Sequence, residues 1–275
     1  MEIADYLKSL SVEGRLLAAE AERAGPGSSV PTCPGWQMRH LLRHTGMVHR
    51  WAAAFVTEGH TAYHPDGGEP DLDGGALLDW FRAGHHHLVE ALAAAPADLD
   101  CWTFMPAPSP LAFWARRQLH ETAVHRADAE SALGGALTRV GTEHALDGID
   151  ELLTGFHARP RSRVRTDVPR TLRVRALGAD ADVDGSTGRG AGGGIGAGLD
   201  SGADAVWTVR LSAEPPKAIR EQVLHDVPPA ECELSGTAEG IYLTLWNRLP
   251  LSAVTLTGDR TVARLWTDNS AVTWN

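Results

Sequence analysis

Lysine is nearly absent from this sequence: Lys8 and Lys217 are the only two among 275 residues, and arginine carries the remaining positive charge. Acidic residues outnumber basic ones, for a formal net charge of −10. That balance argues against a surface that tracks a phosphate backbone, so no nucleic-acid partner is expected. Long apolar runs are also missing. Nothing approaches the roughly 18 consecutive apolar residues of a membrane-spanning helix, so no membrane partner is expected either. Cysteine is scarce, with Cys33, Cys101 and Cys232 widely spaced and odd in number. They form neither a CxxC zinc pattern nor a disulfide framework, which suits a reducing cytoplasm. The opening MEIADYLKSLSVEG carries Glu2 and Asp5 and lacks a basic segment leading into an apolar one, so a secretory signal is not expected.

What is present is the composition of a globular protein with a core, 43% hydrophobic and 22% charged. The wealth of alanine, glycine and arginine points to a high-GC bacterial genome. The first half reads as helices. Ile3, Leu7, Leu10, Leu16 and Leu17 sit near helical spacing over 3–24, until Gly25-Pro26-Gly27 breaks the pattern. A second helix is predicted from about Trp36 to Thr57, a third over about 76–95, and a fourth from Ser109-Pro110 to Leu133. Ser109 is the expected N-cap there, with proline at the first helical position. Four long helices with polar loops suggest a bundle.

A fifth helix over about 142–157 leads out of it, and the period then changes to two. Leu172, Val174 and Ala176 alternate with arginines, and a second strand covers Val206 to Leu211. Between them, the Gly-rich stretch from Asp182 to Asp204 lacks GxxxxGK[ST] and reads as a hairpin connection rather than a nucleotide cradle. A strand at Cys232–Leu234, a short helix at Thr237–Trp246 and a final hairpin around Gly258-Asp259 complete the reading. The fold expected is α+β: a helical domain over 1–158 and a smaller α+β domain over 159–275.

Thirteen histidines make a site depend on which of them converge. HETAVH places Glu121 and His125 four residues apart, on one helical face, where a carboxylate and an imidazole can share a cation. An exposed ion pair fits that spacing equally well. The segment is not a zinc-protease motif, because HExxH would need histidine where Val124 stands. On the second helix, His44 lies toward the apolar side among Leu41, Met47, Val48 and Trp51, as a candidate partner or as a buried structural histidine. His40 and His49 are expected at the surface or behind the ligands. His85, His86 and His87 point in different directions round their helix and are expected mainly in solvent.

Two segments then carry a resemblance. VPTCPGWQMRHLLRHTGMVHRW (Val30 to Trp51) and HETAVHRADAE (His120 to Glu130) resemble the mycothiol-dependent maleylpyruvate isomerase family, and SGTAEGIYLTLWNRLP (Ser235 to Pro250) is similar to its C-terminal helix. The resemblance implies a DinB-like four-helix bundle, then an α+β domain distantly like sterol carrier proteins. It also implies a divalent metal, usually zinc, and carries its ligands onto His44, Glu121 and His125. By the same analogy Arg248 is the substrate-contacting residue, able to hold a carboxylate bidentately. Asp128 is either an acceptor orienting His125 or an ordinary surface aspartate, and Cys33 is more readily a turn cysteine than a catalytic thiol.

Two histidines and one carboxylate would leave a tetrahedral zinc one open position and a net charge of about +1. A thiol there loses its proton. The implied partners are mycothiol and a small electrophile, met by a monomer of actinobacterial origin. The implied chemistry is isomerisation of that electrophile or S-transfer to it. Two other readings stay open: a hydrolase using zinc-bound hydroxide, and a small-molecule-binding protein without catalysis.

Overall fold

The computed structural model describes residues 1–178, 204–222 and 229–271. The expected hairpin connection over 182–203 lies outside them. No described helix is long and apolar enough to cross a membrane.

Four helices build the first compact unit, Met1–Arg139: α1 (Ile3–Ala24), α2 (Met38–Glu58), α3 (Gly74–Ala94) and α4 (Pro110–Ser131). Their ends follow local chemistry. Ser109 Oγ accepts from Ala112 N–H with Pro110 behind it, as the sequence predicts for α4. His40 Nδ1 accepts from the Gln37 amide at 2.9 Å and closes the start of α2, a capping role in place of the expected surface position. Gly59, at φ +65°, ends α2 in the left-handed conformation that glycine adopts without penalty. Helix α1 packs on α4 and α3, and α2 packs on α3 and α4. Leu10, Leu17, Met38, Leu41, Phe55, Leu77, Phe81, Leu88 and Trp114 fill the interior. Full burial of side chains of this size is worth about 1.5–3 kcal/mol each.

Helix α4 departs from the pattern of a half-buried helix, because residues on every face of it are buried, Arg117, His120, Glu121, His125, Arg126, Asp128 and Glu130 included. Charges survive burial only when paired. Arg126 Nε donates to Glu13 on α1 at 2.7 Å, and its Nη1 donates to Glu130 at 2.6 Å and to the Thr138 carbonyl at 2.9 Å. This buried bridge fastens α1 to α4.

The second unit, Val140–Asn275, begins earlier than the expected boundary at 158. It takes in α5 (Thr142–Asp150) and a π-helical turn (Glu151–Phe156), because α5 packs on α6 (Ala238–Leu245). Its sheet holds β1 (Arg170–Ala176), β2 (Ala205–Leu211), β3 (Lys217–Arg220), β4 (Cys232–Gly236) and β5 (Thr255–Gly258), in the order β3-β2-β1-β4-β5. Strands β1 and β2 pair antiparallel, with Leu172 opposite Val209 and Val174 opposite Trp207. Strands β1 and β4 run parallel. These four residues lie in the core with Leu234, Ile241 and Tyr242, and none of the seven is more than 1% exposed.

One expected element is replaced. Gly258-Asp259 does not turn a hairpin; it starts α7 (Arg260–Asn269). Asp259 accepts from Thr261 N–H at 2.9 Å as N-cap, and α7 buries Val262, Ala263 and Trp266. Glycine is required at 258 because φ is +82° and an added Cβ would lie 2.2 Å from the Glu231 carbonyl oxygen.

Two outcomes follow. Gly258→Ala combines left-handed strain with a backbone clash, and equilibrium unfolding in urea is expected to lose ~2–5 kcal/mol. His157 supplies a pH dependence: it is buried, with Nδ1 3.0 Å from Ser162 Oγ. Burial, aided by the Arg159 cation, pushes its pKa down to about 4. The unfolded chain binds a proton at this residue near pH 6.5, so its contribution is complete above that pH and is lost as pH falls toward 4. At most this is about 3 kcal/mol. His157→Gln should flatten the fall in stability between pH 6.5 and 4, and an unchanged slope would count against the assignment.

Candidate metal centre

The centre is built inside the helical unit from α2, α4 and the turn between α1 and α2. His44 Nε2 lies 3.4 Å from Glu121 Oε1, and His125 Nε2 lies 3.2 Å from the same oxygen. The two imidazole rings are 5.2 Å apart, edge to face. One donor atom from each of the three residues falls within 4.8 Å of the other two. All three residues are buried, at 5–8% exposure. The helical spacing therefore does bring Glu121 and His125 together, and a residue from another helix meets them.

The separations bear on two uses of these groups. Charge-assisted N–H···O bonds draw in to about 2.7–2.9 Å. Ligands held tetrahedrally at about 2.0–2.1 Å from zinc stand some 3.3–3.4 Å apart. At 3.2 and 3.4 Å the groups hydrogen-bond to one another, and the same three donors stand close enough together to fit a small divalent cation.

Neighbouring groups fix which atoms face inward. Arg117, one turn before Glu121 and only 1% exposed, donates from Nη2 to Glu121 Oε2 at 3.2 Å. That leaves Oε1 directed at the histidines. Asp128 Oδ2 accepts from His125 Nδ1 at 2.8 Å, which directs Nε2 toward Glu121. Asp128 is fully buried, so of its two expected placements the structure selects the orienting acceptor. Its other oxygen accepts from Thr32 Oγ1 at 2.5 Å.

The turn between α1 and α2 closes over this arrangement. Val30 N–H donates to the Trp36 carbonyl at 3.0 Å, and Ser29 bridges to Gln37. Trp36 then sets its ring 5.2 Å from His44 and 6.4 Å from His125, stacked on the latter. Thr32 and Arg117 are the site residues that sequence reasoning missed; Arg117 carried a signal in its i,i+4 spacing to Glu121, and Thr32 stands, with Trp36, in the VPTCPGW segment.

Electrostatics favour an anionic carboxylate. Burial by itself would raise the Glu121 pKa, but hydrogen bonds from His125 and His44 and the His125 and Arg117 charges outweigh it and hold the group well below 4.5. For His125, burial would lower the pKa; the bonds to Asp128 and Glu121 and their negative charges instead raise it to about 9.

His85 is buried rather than solvent-facing, and His49, expected at the surface or behind the ligands, is buried. Thr122 Oγ1 donates to the Gln118 carbonyl at 2.7 Å and so accepts from His49 Nε2–H at 2.9 Å. His85 Nε2–H donates to the Leu10 carbonyl at 3.0 Å. Burial keeps both rings neutral, His49 well below 6.5. His86 and His87 are exposed, as expected. Arg248 belongs to the other unit, just after α6, where its Nη1 donates to the Trp246 carbonyl at 2.7 Å.

Comparison with known proteins follows the same division. Residues 7–130 match the family described as the mycothiol maleylpyruvate isomerase N-terminal domain, and residues 143–265 match the MDMPI C-terminal domain. The chain belongs to the mycothiol-dependent maleylpyruvate isomerase family. Solved relatives of this family member include the crystal structure of the mycothiol-dependent maleylpyruvate isomerase (TM-score 0.56) and that of a histidine-to-alanine mutant of it (TM-score 0.58). Each is 14% identical, and each alignment covers 94% of this chain and 93% of the other. At that identity the likeness is one of fold. None of the curated proteins compared matches the chain.

The buried Arg117–Glu121 pair sets an expected outcome that does not depend on any ligand. Arg117→Ala would leave a buried carboxylate without its guanidinium, costing about 3–5 kcal/mol in denaturant unfolding. A loss under 1 kcal/mol would show that solvent or another group replaces the arginine.

Proposed function

We propose that this chain is a mycothiol-dependent isomerase of a small electrophile, dependent on zinc held by His44 Nε2, Glu121 Oε1 and His125 Nε2. The observation that supports the reading is the 3.2 and 3.4 Å spacing of three buried donors beneath Trp36. Family membership supports the thiol and the reaction class. Zinc bound there supplies Lewis acidity that lowers the pKa of a thiol at its fourth position.

The chain's own residues perform the remaining tasks. Glu121 contributes one negative charge, and Arg117 restricts it to a single inward oxygen. Asp128 holds His125 in the tautomer that presents Nε2 and raises the basicity of that nitrogen. The Trp36 ring covers the two histidines and keeps bulk water from their edge. Arg248, with one Nη anchored on the Trp246 carbonyl, is proposed to receive a substrate carboxylate.

Isomerisation by a thiolate then balances without any other reagent. The sulfur adds to one carbon of a conjugated double bond, and the π electrons move to the carbonyl oxygen. The new single bond rotates, the electrons return, and the C–S bond breaks to release the thiolate unchanged. S-transfer is the variant in which the C–S bond persists. The chain is further proposed to work as a monomer in the cytoplasm of an actinobacterium; that none of its described cysteines is in a disulfide supports the compartment.

Elemental analysis joined to an assay tests the proposal. Wild type should carry one zinc per chain, while His44→Ala and His125→Ala lose affinity beyond the roughly 10–100-fold that removal of a supporting partner costs. With maleylpyruvate as probe, turnover should require added mycothiol, and product mass separates isomer from thiol adduct. Full activity in metal-free wild type, or activity without any thiol, would sink the reading.

A further inference from the structure

His125 is unusual in that both ring nitrogens meet acidic groups. Nε2 faces Glu121 at 3.2 Å, and Nδ1 faces Asp128 at 2.8 Å. The turn between α1 and α2 brings Cys33 near His125 and Asp128. One ligand atom each from Cys33, His125 and Asp128 lies within 4.8 Å of the other two, a second donor group that excludes His44 and Glu121. Asp128 is fully buried, His125 is buried and Cys33 is half-buried, so Cys33 is the most exposed member of the group.

The placement of Cys33 is fixed by backbone rather than by chance contact. Its N–H donates to the Val30 carbonyl at 3.0 Å, and its carbonyl accepts from Trp36 N–H at 2.9 Å. The adjacent Thr32 hydroxyl holds Asp128 Oδ1 at 2.5 Å and lies 3.1 Å from Ser131 Oγ. The carboxylate is therefore oriented before any cation arrives.

We propose that Cys33 Sγ, Asp128 Oδ2 and His125 Nδ1 form a second cation position, selective for thiophilic ions such as cadmium or copper(I). The donor types divide the two positions. His44–Glu121–His125 offers two nitrogens and an oxygen, which suit zinc. The Cys33 group adds a sulfur, and a soft thiolate ligand favours soft ions. Binding transfers the Cys33 thiol proton and the proton shared between His125 and Asp128 to solvent, and forms bonds from sulfur, nitrogen and oxygen to the cation. Because one imidazole serves both groups, a soft ion here competes for the residue that completes the first position. The second position shares His125 with the zinc assignment but is read through Cys33, which the zinc assignment does not use, so the two readings fail separately.

Cadmium titration of the metal-free full chain, followed by the thiolate-to-cadmium absorption band in the ultraviolet, tests the proposal. Wild type should develop a band equivalent to one thiolate per chain. Cys33→Ser, a change of one atom, should abolish it, although buried Cys101 and Cys232 remain. Asp128→Asn should weaken binding at least about tenfold, with far-ultraviolet circular dichroism confirming that each variant is folded. His44→Ala should keep the band while losing zinc at the first position. A wild type without the band at saturating cadmium, or a folded Cys33→Ser that retains it, would overturn the second position. Loss of zinc binding in the wild type with the band intact would overturn only the zinc reading.

Discussion

The burial of Glu121 constrains everything around it. A carboxylate taken out of water is stable as an anion only if positive groups and donors replace its hydration. Here His44 and His125 face one of its oxygens and Arg117 the other. Their combined effect exceeds the cost of burial, since the group is held well below its usual pKa. The set that keeps Glu121 ionised is also the set proposed to offer a cation one oxygen and two nitrogens. Folding and ligand binding thus draw on one arrangement of charge.

That arrangement explains why α4 is polar and yet central to its unit. Arg117, Glu121, His125 and Asp128 form a ladder of i,i+3 and i,i+4 contacts along a single helix. Each member fixes the orientation of the next. The next residue after His125, Arg126, pairs with Glu13 and Glu130. The turn over Val30–Trp36 seals the upper end, supplying a hydroxyl to Asp128 and an indole face to the histidines. A buried polar helix of this kind makes uniqueness of geometry and chemical function the same requirement.

Much of the fold was legible in the chain. The helix breaks at Gly25-Pro26-Gly27, the Ser109-Pro110 start and the period-two strands over Leu172–Ala176 and Val206–Leu211 all report local backbone preferences that tertiary contacts did not override. Other features were ambiguous because one local signal serves two structures. Gly258-Asp259 suits a tight hairpin and equally a glycine turn followed by an aspartate N-cap; burial of Val262, Ala263 and Trp266 selects the helix. Helix α5 could close the bundle or open the next unit, and its packing on α6 decides for the second. The candidate site was legible as a list of residue types, with help from a family resemblance; of its orienting groups, Asp128 stood open between two placements and Arg117 was not read.

The chain by itself determined the helical phases that put Glu121 and His125 on one face and His44 on an apolar one, since spacing of 3.6 residues per turn is a local property. Only the tertiary structure decided that these faces meet, that Arg117 and Asp128 are buried beside them, and that Thr32, Cys33 and Trp36 close over them. Such contacts join residues remote in sequence, and no backbone preference encodes the distance between two side chains that packing alone brings together.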